Sequence, residues 1–422
     1  AIHNPIGKQE RAGLDIAFAG TWYRHKHKER SEFLPIILDP STRYKLHIFD
    51  RMSDWDKDDS YEFPKHLQPF IHPKIPYDEM LNLHRIFKVF LNTNSVFDSN
   101  TMFSRRVFEI LASSTPVVST ASVGIERMFG ELVPVVKTKE EAAVVLDRLM
   151  NDVWYRKRHG HMGYRKVMTE HTFARRTREI FDRIGLQRIE LGEEYPMVTL
   201  AVPTNRPENL KYIKENFERQ NYPNLELIIV LNSDRYVQSE VEAAFAAHPN
   251  VKAFQLPEDR TLGACLNLSI EHMTGKFWAK LDDDNIYLEN FVRDLMLPFR
   301  YCDAGIVGKG TYFIYLEGAD ILALRFPNQE HRWVDFLSGS AMVVRREIFD
   351  TMRFPDVSVG EDTTFMKDCL AAGYRMYSAD CFNYVVVRKS DVGQHTWKIP
   401  DLELLRSSTE ICKGLNLEYV RA

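Results

Sequence analysis

Three things are missing from this 422-residue chain: a long apolar run, a cysteine pairing pattern and an excess of one charge. No apolar stretch approaches the ~20 residues that a membrane-spanning helix needs, and the N-terminus shows no signal-peptide pattern. The five cysteines, Cys265, Cys302, Cys369, Cys381 and Cys412, are odd in number, scattered and without a CxxC. That argues against a disulfide framework or a zinc site, favours a reducing compartment, and makes a cytoplasmic location the expectation. A formal net charge of −4 leaves no footprint for a nucleic-acid partner. The chain opens at Ala1 rather than at a methionine, as expected of a processed form or of a piece cut from something longer. What is present is an ordinary globular composition, 44% hydrophobic and 27% charged, in a length that favours two domains.

The first half alternates short apolar runs with helical spacing. Runs at 15–20, 45–50, 88–92, 116–120 and 133–136 read as strands; 77–87, 103–112, 140–150 and 154–184 read as helices. Such alternation predicts a parallel sheet covered on both faces, with ligands beyond the carboxyl ends of its strands. The segments Asn92-Thr93-Asn94-Ser95, Phe103 to Ala112 and Thr115 to Thr120 resemble the C-terminal lobe of GT-B glycosyltransferases, closest in style to the spore-maturation type. Such lobes carry a pair of glutamates around the helix start. Here Glu109 matches the second and Thr101 stands where the first would fall. No companion lobe fits before Asp15, so residues 1–188 are expected to be a Rossmann-like, GT-B-type single lobe without catalysis of its own. Packing, homo-oligomer formation or acceptor docking would then be its role.

The charged stretch Gln187 to Pro196 reads as the boundary, and residues 189–422 as a second α/β domain. Strands at 197–202, 225–231, 251–256 and 277–281 alternate with helices at 208–221, 238–247 and 265–273. Their polar tips gather at one sheet edge, as a nucleotide site requires. Pro203, Thr204, Asn205 and Arg206 follow the first strand and can face a base and ribose; Asn232 and Asp234 follow the second. Arg260 and Gly263 sit at a helix start, offering positive charge and free N–H groups. The fourth strand delivers Asp282, Asp283 and Asp284, three adjacent acids that call for a counter-charge. A divalent cation with oxygen ligands supplies one, although a bare acidic triplet also reads as a solvated turn.

From Pro196 to about Trp397 these residues resemble the GT-A fold of family-two inverting glycosyltransferases, through Pro203–Pro207, the Arg260–Asn267 segment and the acidic triplet. The resemblance implies that Asp284 is the direct ligand of Mn2+ or Mg2+ and that Asp282 or Asp283 contacts ribose or metal-bound water; Asp282 is a further metal-ligand candidate. Asn267 joins the donor-binding set. Leu231-Asn232 stands where the family has paired aspartates, which leaves base recognition open.

Downstream, Glu361 and Asp362 open a helix, where acids suit the helix dipole. By the resemblance Asp362 is the catalytic base and Glu361 its support or an acceptor-orienting group. His395 matches the family's late histidine that completes the metal shell; Lys389, beside Arg388, is a candidate diphosphate clamp. Trp333, Ser338 and Gly339 are candidate acceptor or donor-sugar contacts. The function expected is metal-dependent inverting transfer from a nucleotide-diphosphate sugar, a UDP-sugar by default, to a saccharide acceptor in surface glycan or glycoprotein synthesis. A sugar-nucleotide nucleotidyltransferase would carry a glycine-rich basic loop after its first strand, and Pro203–Pro207 contains no glycine. A non-catalytic carbohydrate-binding scaffold is the other alternative.

Overall fold

A computed structural model describes residues 2–24, 28–55, 61–186, 193–391 and 399–422. The chain divides into two compact units, Ala1–Ile189 and Glu190–Ala422.

The first unit is built on six strands: β1 (Ile16–Gly20), β2 (Leu46–Asp50), β3 (Ile71–His72), β4 (Val89–Asn92), β5 (Val117–Thr120) and β6 (Val135–Val136). They lie in the order β3-β2-β1-β4-β5-β6, every pair parallel. The central strands β1, β4 and β5 are buried along their whole length, which is why they read as continuous apolar runs rather than alternating ones. Helices fill both faces. Ile37 and Leu38 from one helix and Ala142, Leu146 and Leu149 from another pack with Phe18, Ile48 and Leu91 of the sheet.

The second unit holds two sheets. Strands β7 (Val198–Thr204), β8 (Leu225–Leu231), β9 (Val251–Gln255) and β10 (Phe277–Lys280) are parallel neighbours, as the alternation of strands and helices predicts. Strands β11 (Ile286–Tyr287), β12 (Ile306–Gly308), β13 (Tyr312–Leu316), β14 (Ile321–Arg325), β15 (Arg332–Val334), β16 (Met342–Arg345), β17 (Met376–Ser378), β18 (Tyr384–Arg388) and β19 (Ser408–Lys413) follow. The large sheet runs β15-β17-β12-β16-β10-β7-β8-β9, with β16 inserted antiparallel between β10 and β12. The second sheet runs β11-β18-β13-β14-β19.

The core of this unit lies under β10. Trp278 is fully buried, donates its indole N–H to Ser269 Oγ at 3.0 Å, and packs beside Phe349 and Phe354. Phe354 stacks on Phe365 with ring centroids 4.2 Å apart, which ties the helix Glu361–Ala371 to the same core as β10. Burial of aromatic area on this scale contributes about 2 kcal/mol per ring, so the strand tip and the helix start are held on a rigid base.

Candidate active site

Because β7 and β10 are adjacent and parallel, their carboxyl ends reach the same edge. Thr204 closes β7, and the acidic triplet follows β10. The triplet is not left to solvent. Asp283 is buried, accepts the Thr204 hydroxyl at 2.6 Å, and is gripped by the Nε and a terminal nitrogen of Arg206. The remaining guanidinium nitrogen lies 2.9 Å from Asp284 Oδ2. Burial works against the Arg206 charge, but Asp284 and Asp283 together raise its pKa above the usual arginine value. Burial likewise pushes Asp283 upward against the pull of Arg206. With the guanidinium bonded to both carboxylate oxygens, the pair is ionic. Thr204 is fixed in turn by the Tyr236 hydroxyl at 3.0 Å, and burial pushes that phenol up to about 12.

Asp282 belongs to a second cluster. Lys280, buried at the tip of β10, lies 3.6 Å from Asp282 Oδ1 and 3.2 Å from Glu361 Oε1. Burial alone would lower the lysine pKa; Asp282, Glu361 and Asp362 more than offset it and raise it. Burial raises both Asp282 and Glu361, with Lys280 opposing in each case. Behind Asp282, Asn285 is a buried hub. Its amide donates to Asp282 Oδ2 at 3.3 Å, its side-chain oxygen accepts from Val387 N at 3.0 Å, and its carbonyl accepts from Asn216. Tyr287 donates its hydroxyl to the Ser340 carbonyl and accepts the Asp282 N–H at 2.8 Å. These bonds set the turn after β10 against β18 and the loop before β16.

Asp362 comes to this same place. Its charge acts on Lys280 and Asp282, and its carboxylate lies against Gly339, where an added Cβ would overlap a carboxylate oxygen. Only glycine fits that position. Asp362 Oδ1 accepts the Thr363 N–H at 2.6 Å, which fixes its rotamer at the helix start. Ser338 is bonded to the Tyr384 hydroxyl at 3.2 Å, and Trp333 is covered by the Arg375 guanidinium at 3.5 Å from its centroid.

Of the other expected donor contacts, several are engaged by the chain itself. The Asn267 side chain clamps the backbone of Phe354, donating to its carbonyl at 2.9 Å and accepting its N–H at 3.1 Å, so both its polar atoms are engaged in holding a loop. The Gly263 N–H, expected to be free for phosphate, bonds Val357 O at 3.0 Å, and a Cβ at Gly263 would collide with the Pro355 carbonyl. This glycine lets the 355–357 loop approach the helix Leu262–His272. Asn232 donates to Pro257 O at 2.7 Å. Asp234, Asn205 and Arg260 are exposed, Pro203 is half-buried, and the Asn205 carbonyl accepts from Arg235. Lys389 pairs with Glu317 at 3.6 Å. His395 lies outside the described residues.

Lys280, Asn285, Tyr287 and Tyr384 are site residues that the sequence reading passed over. A signal existed for the first: Lys280 is the one charged residue in Phe277–Lys280, a strand buried at every position. A lysine buried there requires carboxylate partners.

Comparison with known proteins bears on both units. Residues 11–182 match the family model described as glycosyl transferase-like, and residues 200–353 match glycosyl transferase family 2. An uncharacterized glycosyltransferase of Rickettsia bellii (strain RML369-C) is 28% identical over 110 residues, 25% of this chain and 16% of that protein. This chain thus spans only a small part of the length of the curated relative. Among solved structures, the mannosyltransferase PcManGT from Pyrobaculum calidifontis in complex with GDP-Man and Mn2+ is 19% identical, covering 53% of this chain and 67% of its own, with a TM-score of 0.38. S. aureus TarS 1–349 in complex with UDP-GlcNAc is 14% identical, covering 46% and 59%, with a TM-score of 0.36. At such values neither structure carries an argument about mechanism. Both resemblances read from the sequence are met at the level of family, and so is the two-part α/β fold class.

Proposed function

For a chain that carries a glycosyl transferase-like region followed by a glycosyl transferase family 2 domain, we propose metal-dependent inverting sugar transfer at the edge where β7 and β10 end. The donor is a nucleotide-diphosphate sugar, a UDP-sugar by preference, and the acceptor is a saccharide hydroxyl. The observation that carries this reading is the meeting of Asp282, Lys280, Glu361 and Asp362 at one strand tip from segments about eighty residues apart. An acidic pair held by a lysine, beside a further carboxylate whose position is fixed, has the parts for orienting a hydroxyl and taking its proton.

In this reading Asp362 accepts the proton of the acceptor hydroxyl as its oxygen bonds to the anomeric carbon. The bond from that carbon to the diphosphate breaks on the opposite face. Glu361, neutralised by Lys280, sets the electrostatics beside the base without competing for the proton. Thr204, Arg206, Asn232 and Asp234 stand at the strand ends where a nucleoside would lie. The hard oxygen donors of Asp284 and Asp282 fit a divalent cation, since both carboxylates already attract cationic side chains. His395 is proposed as a third ligand. Such a cation, when bound, supplies positive charge to the departing diphosphate.

Donor hydrolysis across a panel of nucleotide sugars, measured with and without Mn2+, tests the reading. Metal-dependent release of the nucleoside diphosphate from one donor is expected, together with transfer to saccharide that falls about 100-fold or more in Asp362→Asn. Undiminished transfer by that variant would sink the assignment.

A further inference from the structure

The helix Phe173–Ile184 of the first unit is fully formed, yet its apolar side faces solvent. Thr172 caps its start by accepting the Arg175 N–H at 3.3 Å. Gly185, at φ 68°, closes its end in the left-handed conformation that glycine tolerates, and the Leu186 N–H then bonds the Phe181 carbonyl at 3.1 Å. No residue of this helix is buried. Phe173, Thr177, Ile180 and Ile184 recur at the spacing that sets side chains in one stripe along a helix. Phe173 is 88% exposed, more than any other large hydrophobic side chain among the described residues, and Ile180 and Ile184 are 56% and 61% exposed. Thr177 adds no unmet polar group to the stripe, because its hydroxyl donates to the Phe173 carbonyl at 2.9 Å.

Apolar residues exposed singly are ordinary on a protein surface; a stripe of them along one helix calls for a cover. The charge around it indicates which. The helix carries Arg175, Arg176, Arg178 and Arg183 against Glu179 and Asp182, a cationic excess in a chain whose formal net charge is −4. Glu179 is itself held by Arg176 at 2.7 Å and by Arg175 at 3.6 Å. At about 100° of rotation per residue, Arg176 and Arg183 fall on the same flank of the apolar stripe. Arginine stems lie readily along apolar surface while their guanidinium heads reach past it. A second copy of the chain fits less well. A 12-residue helix is about 18 Å long, so a stripe about 10 Å wide offers on the order of 200 Å², where a stable dimer buries about 800 Å² on each partner.

We infer that the helix Phe173–Ile184 docks the chain on the surface of an anionic lipid bilayer, with Phe173, Ile180 and Ile184 immersed at headgroup level and Arg176 and Arg183 among the lipid phosphates. Apolar side chains on one side of a helix and arginines beside them are the two components of interfacial binding. The contact is superficial, since among the described residues no helix is long and apolar enough to cross a membrane. The helix is already capped at both ends, so docking carries no cost of folding it. One short helix is a weak anchor, which makes the attachment reversible and sensitive to salt. The inference stands whether or not the second unit transfers sugar.

Flotation of the full chain with vesicles of mixed phosphatidylglycerol and phosphatidylcholine, against vesicles of phosphatidylcholine alone, tests it. The chain should float with the anionic vesicles, less so as salt is raised, and about tenfold or more weakly in Ile180→Asp. Arg183→Glu should weaken flotation as well. Val144→Asp changes an equally exposed apolar residue on another helix, and should leave flotation as it is. All three side chains are exposed, so the substitutions leave folding intact, which an unchanged thermal midpoint checks. Light scattering in solution addresses the second copy: a dimer that Ile180→Asp splits overturns the inference. So does absence of flotation with the anionic vesicles, or flotation that Ile180→Asp leaves unchanged.

Discussion

Arg206 uses all three guanidinium nitrogens on the acidic triplet: two on the buried carboxylate of Asp283 and one on Asp284, 2.9 Å away. The cation that a row of aspartates demands is therefore supplied, at least in part, by the chain itself. Arg206→Ala leaves Asp283 buried with only Thr204 for a partner. A loss of about 2–3 kcal/mol is expected, toward the low end because the arginine side chain is 28% exposed. Thermal unfolding of the second unit checks this, and millimolar Mn2+ should restore part of the loss by replacing the missing charge.

Gly339→Ala places a methyl group where the Asp362 carboxylate sits. The carboxylate must then turn away from where the proposed acceptor hydroxyl would lie. Turnover is expected to fall about 100-fold while donor affinity changes little, since misplacing a proton acceptor costs rate rather than binding. Steady-state kinetics separate the two, and Gly339→Ser should behave the same way.

Asn267→Ala tests the reassignment of that residue from donor contact to loop clamp. It removes both bonds to the Phe354 backbone and should cost about 1–3 kcal/mol in stability. Nucleoside diphosphate affinity, measured below the unfolding transition, should stay within about twofold.

Much of this was legible beforehand, and what was not has a physical reason. Leu225–Leu231 announces a central strand because every residue is buried, and the parallel order of β7 to β10 follows from the helices between them. Strands β12 to β15 are three to five residues long, and β13 and β14 are mostly buried, so they lack the alternation that marks a half-exposed strand. The partners of the acidic triplet were harder still. Arg206 and Asp283 are 77 residues apart, and Asn267 and Phe354 are 87 apart. Only the folded topology decides which polar tip spends its hydrogen bonds on the chain and which keeps them for a ligand.

Three histidines in the first unit make its stability depend on acid. Burial depresses His84 to about 3, His159 to about 4 and His171 to about 4, against 6.5 for a free imidazole. Each is neutral when folded and binds a proton more readily when unfolded. Stability is therefore full above about pH 6.5 and declines as pH falls toward 4. Unfolding of the first unit followed across that range should show the decline, and His159→Phe should flatten it. A pH-independent midpoint between 4 and 7 would contradict the assignment.

The central claim, a nucleoside-diphosphate site completed by a divalent cation at Asp284 and Asp282, is tested most directly by UDP titration calorimetry with Mn2+ and with EDTA. Wild-type protein should show a component of binding that appears only with Mn2+ and disappears in Asp284→Ala, while Asp362→Asn retains it. Binding that Mn2+ does not strengthen, or a Mn2+-dependent component that survives Asp284→Ala, contradicts the account.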